Sequence, residues 1–362
     1  MRIVFGLVRM WAFILAFLGS CARGGGVPAP SGDGGGGGEG EAPQDAGGAR
    51  RVPWSVSRHV FPGDAPDVLA RDLALAAELG ATYVRTDLWW YAVEPGPGQF
   101  DTAALALYSD YVDLAAAHGL SVIAILSNPP GWALQLYNTG KRADFAAAFG
   151  VYSERVAATL GDRVHDYQLW NEPNNVADVP DGAMDIQLFR AGRDGIARGA
   201  PGVPVRTAIN VLVDGHDGPV AHWEDDIRGY LDGAADAIDT IAIDHYPGTW
   251  SVGDWGGNIL DRLFALGAER TKAVAIYETG YATAPCSLPL HDEAAQLAWI
   301  GEQLPRLRDK LSLGRLEVVN WFKLDDRNSG NCFDPEDNFG VVRTDRTKKP
   351  AFEALRAEIA RY

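Results

Sequence analysis

Cysteine, basic residues and long apolar runs are all scarce in this chain. Three Cys in 362 residues cannot form a disulfide framework, so a fold of this length must rest on a hydrophobic core. Lys and Arg number 32 against 48 Asp and Glu, a formal charge of −16. Such a surface argues against a nucleic-acid partner, because phosphates are met by Lys and Arg; ordinary solubility accounts for the charge. The apolar stretch Met10–Leu18 is too short to count as a membrane span. There is no His-Glu-x-x-His, the seven His are scattered, and the oxygen-rich stretch 325–338 lacks the spacing of a Ca²⁺ loop. No metal and no other cofactor is therefore expected. Gly-x-Ser-x-Gly is also missing, which disfavours a serine esterase.

What is present begins with a leader. Arg2 and Arg9 form a basic region, Met10–Leu18 an apolar core, and Leu18-Gly19-Ser20-Cys21 follows. Small residues before a cysteine at this place resemble a bacterial lipoprotein signal. The resemblance implies cleavage before Cys21, acylation of its thiol, and an exported protein anchored at a periplasmic or cell-surface membrane face. An ordinary signal peptide with an incidental Cys is the alternative. Residues 1–20 are read as the signal. Residues 21–50, with an unbroken run from Gly34 to Gly38, are read as a flexible tether, and 51–362 as one folded domain. With Cys21 lipidated, Cys286 and Cys332 remain, an even pair in an oxidising compartment, and a disulfide between them is expected. Two unrelated thiols or a catalytic Cys are the alternatives, although neither flank supplies the His base that a catalytic Cys needs.

The folded part alternates short apolar runs with longer amphipathic ones. Runs occur near 54–58, 82–86, 121–126, 165–170, 203–209, 238–243, 273–277 and 316–322. Between them, stretches such as 66–79 and 103–117 place apolar groups at helical spacing and end at Gly80 and Gly119. Eight such alternations predict an α/β fold of the (β/α)8 TIM-barrel type, as a single domain and a monomer. In that fold the active site is built at the C-terminal ends of the strands. Run four ends in Trp170-Asn171-Glu172 and run seven in Tyr277-Glu278-Thr279-Gly280. Two carboxyl groups facing across a barrel mouth suit glycoside hydrolysis, where one is protonated to expel the leaving oxygen and the other ionised to attack carbon.

"WNEPN" followed by "IYETG" resembles the clan A glycoside hydrolases, retaining (β/α)8 enzymes with both catalytic Glu at the ends of strands four and seven. The resemblance implies Glu172 as acid/base and Glu278 as nucleophile. It implies Asn171 on the sugar 2-hydroxyl, Arg85 holding the nucleophile ionised, Tyr246 hydrogen-bonded to it, and Trp321 flooring the adjoining subsite. The family 5 pattern reads His-x-Tyr on strand six, where this chain has Asp244-His245-Tyr246. Alternation puts Asp244 and Tyr246 on one face, so Asp244 takes the slot of the His. Family 5 also has a His after strand three, where this chain reads Ser127-Asn128-Pro129. Family 39 is an equally good neighbour, so the clan is assigned and the family is not.

Trp54, Trp89, Trp90, Trp132, Trp250 and Trp255 fall at or just after the runs, and Trp planes pack on sugar C–H faces. Trp90, Trp132 and Trp250 are taken with Trp321 as candidate platforms. The expected activity is retaining hydrolysis of a β-linked glycan. A glycan-binding lipoprotein without turnover and a transglycosylase on the same site are the alternatives.

Overall fold

The computed structural model describes residues 51–362 apart from 176–181, 216–217, 220–221, 251–252, 285, 287–290 and 328–331. The expected signal, Cys21 and the Gly-rich tether lie outside the described residues. Eight strands close into a parallel barrel in chain order. They are β1 Trp54–Ser57, β2 Tyr83–Trp89, β3 Ser121–Ser127, β4 Val164–Leu169, β5 Thr207–Leu212, β6 Thr240–Asp244, β7 Ala273–Thr279 and β8 Val319–Trp321. The long helices that follow them in turn are α1 Pro66–Leu79, α2 Thr102–Ala117, α3 Arg142–Leu160, α4 Gly182–Gly199, α5 Trp223–Ala234, α6 Ile259–Arg270, α7 Glu293–Lys310 and α8 Pro350–Ile359. The expected (β/α)8 architecture is the observed one.

Local chemistry explains the boundaries. Pro66 opens α1, where its missing N–H is not needed, and Gly80 closes it at φ 89° in the left-handed region. The Asp101 carboxylate caps α2 by accepting from the N–H groups of Ala103 and Ala104 at 2.8 and 3.1 Å. The fifth strand lies further along than the apolar run at 203–209 suggested. Pro204 offers no ladder N–H, pairing with β4 starts at Thr207, and the strand continues through the polar Asn210.

Two cores result. The larger lies between barrel and helices and includes Val56, Leu73, Tyr167 and Phe352. A smaller one, Ile123, Ala208, Ala242, Ala275, Tyr277 and Val318, fills the lumen below the mouth. Cys286 and Cys332 are bonded, as expected, with Cα atoms 5.4 Å apart, and tie the segment after β7 to that after β8. A disulfide is compatible with an exported protein. Among the described residues no helix is long and apolar enough to cross a membrane.

One buried ionic junction clamps the outside of the barrel. Asp72 of α1, fully buried, accepts from Arg58 Nε at 2.8 Å and from Arg346 Nη2 at 3.1 Å, and Arg346 also pairs with Asp325 at 3.0 Å. The junction therefore fastens α1 to the segments after β1 and β8. Asp72→Ala strips the shared anion from two guanidinium groups. It should cost about 3–5 kcal/mol, the usual penalty for breaking a buried ion pair, measured as a fall in urea midpoint at unchanged slope.

Candidate active site

The fourth strand ends in a forced turn. Within β4, Asp166 and Gln168 face the lumen while Tyr167 and Leu169 join the outer core. Trp170 then adopts φ 70° and Glu172 φ 43°, left-handed values that cost a side-chain-bearing residue of order 1 kcal/mol each. Several bonds hold them there. Trp170 N–H donates to the Leu126 carbonyl at 3.0 Å, Glu172 N–H to Asn210 Oδ1 at 3.1 Å, and Asn175 N–H to the Glu172 carbonyl at 2.9 Å. The Trp170 ring packs edge-on against Phe145 and Phe149 of α3. The turn presents Asn171 and Glu172 at the mouth.

Glu278 arrives from β7. The register between β6 and β7 steps from Ile243–Ile276 to Asp244–Glu278, an irregularity of the kind that re-aims a side chain. Arg85, fully buried on β2, donates through Nη1 to Glu278 Oε1 at 2.6 Å, and the Tyr246 hydroxyl donates to Oε2. Gly280 follows because a Cβ there would stand 2.4 Å from the Phe322 carbonyl oxygen. A polar layer fixes Arg85 in turn. Its Nε bonds Gln168 Oε1 at 2.8 Å and its Nη2 bonds Asn171 Oδ1 at 2.9 Å. Gln168 Nε2 bonds Asn210 Oδ1 at 2.8 Å, and Asn210 Nδ2 donates to Asp244 Oδ2.

Glu172, Asp244 and Glu278 each offer an oxygen, all within 4.8 Å of one another. Such a trio could in principle grip a cation; here Arg85 already supplies positive charge at Glu278. Burial first and the Glu278 charge second push the Glu172 carboxyl up to about 8. Burial, then Glu278, also holds the Tyr246 phenol well above its usual range, so it stays a donor. Burial alone would lower Arg85, but Glu278 and Asp244 more than reverse this.

The sequence-predicted residues divide clearly. The structure brings Glu172, Glu278, Asn171, Arg85, Tyr246 and Asp244 together. Trp250 borders them, half-buried, its ring 4.9 Å from that of Tyr246. Trp132 is half-buried in the segment after β3, its indole N–H on the Glu94 carbonyl at 3.1 Å. Trp90 and Trp321 are corrections. Trp90 is fully buried, stacked on Tyr152 of α3 at 5.4 Å, because the chain turns helical at that residue. Trp321 is fully buried against Trp299 of α7 at 5.8 Å, because it has the parity of Val319 and faces the helices. Phe322, the next lumen-side residue after Asn320, lies 6.0 Å from Tyr246 and 5.7 Å from His59. Trp54 and Trp255 are likewise core residues, and Trp89 stacks on Phe61 at 5.2 Å.

Sequence reasoning missed four features. Gln168 and Asn210 carry the polar layer; counting every second residue along β4 and past the fifth run would have found them. His59, after β1, has Nδ1 2.5 Å from Asp87 Oδ2, while Asp87 Oδ1 accepts from Ser127 and Asn128 at 3.3 and 3.2 Å. Lys323 is buried beside the mouth segments, and desolvation lowers its ammonium to about 8.

None of the protein-family models compared with this chain matches it. The chain is 28% identical over 202 residues to a probable glucan 1,3-beta-glucosidase A of Emericella nidulans, covering 51% of this chain and 46% of that protein. It thus spans about half the length of that curated relative. Among solved structures, an exo-beta-1,4-mannosidase from Opitutaceae bacterium strain TAV5 superimposes with TM-score 0.65 at 17% identity, covering 88% of this chain and 60% of that one. A family 39 glycoside hydrolase from Bacteroides cellulosilyticus WH2 gives TM-score 0.60 at 21% identity, with coverage of 86% and 64%. A family 1 β-glucosidase from Thermotoga maritima gives 0.65 at 16% identity, with coverage of 86% and 98%. At these identities the likeness establishes a shared barrel.

Glu172 should be directly visible by titration. In the chain labelled with ¹³C at Glu carboxyls, one signal should titrate with a midpoint of about 8 and be missing from Glu172→Gln. Complete titration of every Glu in the ordinary carboxylate range would show that neither burial nor Glu278 acts on it.

Proposed function

We propose that this chain is a retaining β-glycosidase of clan A. The observation that carries the reading is the closeness of the two carboxyl groups, with oxygens of Glu172 and Glu278 within 4.8 Å. Retaining enzymes hold their pair about 5–5.5 Å apart, whereas inverting ones leave about 6.5–9.5 Å for a water. The names of the similar proteins, β-glucosidases and a β-mannosidase among them, support a β-linked substrate.

On this reading the two carboxyl groups divide the labour. Glu278 attacks the anomeric carbon while Glu172 passes its proton to the departing oxygen, and a glycosyl ester forms on Glu278. Glu172, now a carboxylate, takes a proton from water as that water attacks the ester and frees Glu278. Before attack, Arg85 and Tyr246 each donate to one Glu278 oxygen, which holds the nucleophile's charge without water. Asn171 Oδ1 accepts from Arg85, Gln168 and Asn210. Those donors fix the orientation of its amide and turn the NH₂ to a sugar hydroxyl. Trp250 and Phe322 are aromatic surfaces beside this centre, 4.9 and 6.0 Å from the Tyr246 ring. Acylation of Cys21 would hold the barrel at a membrane surface by the tether of residues 22–50.

Glu172 must be protonated in the first step, so kcat/KM should fall as pH rises through about 8. A panel of aryl β-glycosides and β-linked polysaccharides tests the whole reading. Glu278→Ala and Glu172→Ala should each lower turnover by at least about a hundredfold. Azide should restore Glu278→Ala as the α-glycosyl azide and Glu172→Ala as the β-glycosyl azide, because azide enters from the face each carboxylate vacates. Glycan binding with no turnover on any substrate would instead mark a binding protein.

A further inference from the structure

Asp244 holds a place in this site that its surroundings do not satisfy as an anion. It is fully buried at the end of β6. Its Oδ2 accepts from the Asn210 amide, while its Oδ1, also buried, has no donor among the described residues. Arg85, the guanidinium nearest by, gives its hydrogen bonds to Gln168, Asn171 and Glu278. The groups facing Asp244 are Glu172 after β4, Glu278 on β7, Arg85 on β2, Asn210 on β5 and Tyr246 beyond β6. Two of these are carboxyl groups with oxygens within 4.8 Å. A full negative charge with one amide N–H and two acidic neighbours is the arrangement that burial penalises most.

We infer that Asp244 works as an uncharged carboxylic acid whose Oδ1 hydroxyl donates to Glu172, and so positions the acid/base residue through both halves of the reaction. The inference rests on the glycosidase reading for its mechanistic role, but not for the protonation itself. The proton is assigned to Oδ1 by the network. Asn210 Oδ1 accepts from the Glu172 N–H and from Gln168 Nε2 at 3.1 and 2.8 Å, so its Nδ2 must face Asp244, and Oδ2 must be the accepting carbonyl oxygen. The orphaned Oδ1 then becomes a hydroxyl, and Glu172, which offers an oxygen within 4.8 Å of one of Asp244's, is the acceptor assigned to it. Burial first, then the charges of Glu278 and Glu172, holds the Asp244 carboxyl well above the usual carboxylate range, in accord with this assignment.

The consequence is a division between the two carboxyls. When Glu172 surrenders its proton to the leaving group, its new charge meets the Asp244 hydroxyl rather than water. When Glu172 recovers a proton from the attacking water, Asp244 has kept its own, so the cycle closes with no net proton change on Asp244. Asp244 touches neither sugar nor leaving group in this account; it is a positioning residue.

The test compares Asp244→Ala with Asp244→Asn in the full chain. An Asn places a carbonyl toward Asn210 and an N–H toward Glu172, as the neutral acid does, but cannot imitate a carboxylate. Asp244→Ala should lower kcat at least tenfold, and Asp244→Asn should recover most of that loss and keep the alkaline limb of the pH profile. An Asn variant as impaired as Ala would overturn the proposal, because only an ionised Asp244 would then explain the need. A second readout is independent of hydrolysis. In wild type labelled with ¹³C at Asp carboxyls, one signal should sit at the protonated position at neutral pH and be absent from Asp244→Asn. If every Asp is ionised there, the proposal fails, even if Asp244→Ala does not fold. If the protonated signal is present and no glycoside is turned over, the assignment stands and the glycosidase reading falls.

Discussion

Everything at the mouth of this barrel turns on the Arg85 guanidinium. It is buried at the centre of a parallel barrel, where an unpaired charge is prohibitively costly. Its cost is met by Glu278 at 2.6 Å and by the side-chain oxygens of Gln168 and Asn171. Those bonds reach β4, its C-terminal end and β7, so one side chain on β2 sets the relative positions of β4 and β7. One cation also limits how much negative charge the site can hold. With Glu278 paired to it, neither Glu172 nor Asp244 has a comparable partner among the described residues, and both carboxyls shift upward. The unequal environments of the three carboxyls follow from where a single guanidinium can reach, and unequal environments push carboxyl pKa values apart.

The lumen below makes this arrangement possible. Ala208, Ala242 and Ala275 on adjoining strands β5 to β7 are small, and Ile123, Tyr277 and Val318 fill the remaining space. Above them the lumen side changes from apolar to polar within one residue pair: Ala208 to Asn210, Ala242 to Asp244. The small residues leave volume for long, hydrogen-bonded side chains at the next level. The change also excludes water from beneath, so that each polar contact above operates in low dielectric.

The fold was legible because periodicity survives single-residue errors. The 66–79 pattern became a helix of the same bounds, and eight alternations closed into one barrel. The carboxylates were legible as a pair, one at the end of run four and one at the end of run seven, and Arg85 and Tyr246 through the resemblance of the motifs around them. Orientation of the tryptophans was not legible. Trp321 and Phe322 are adjacent, and which ring enters the lumen depends on a parity set by Asn320 reaching Ser57 at 2.8 Å. Trp90 lies where strand parity stops, since helix begins at that residue. Asn210 escaped because an apolar run was taken to end with its last apolar residue, whereas the mouth of a barrel is where a strand becomes polar.

The stretch Trp170-Asn171-Glu172 shows why a carboxylate stands between Asn and Pro. A relaxed strand end would carry Glu172 onward along the barrel axis, away from β7. Positive φ at Trp170 and at Glu172 bends the chain twice around Asn171, and each bend is held by an element that does no chemistry. The Leu126 carbonyl and the α3 aromatics hold Trp170, and Asn210 holds the Glu172 N–H. Asn210 therefore acts twice, fixing the backbone of Glu172 with its oxygen and the Asp244 carboxyl with its nitrogen. A Glu in that turn keeps its distance from Glu278 only while Asn210 keeps both bonds, so the placement of Glu172 is set by a neutral amide two strands from Glu278.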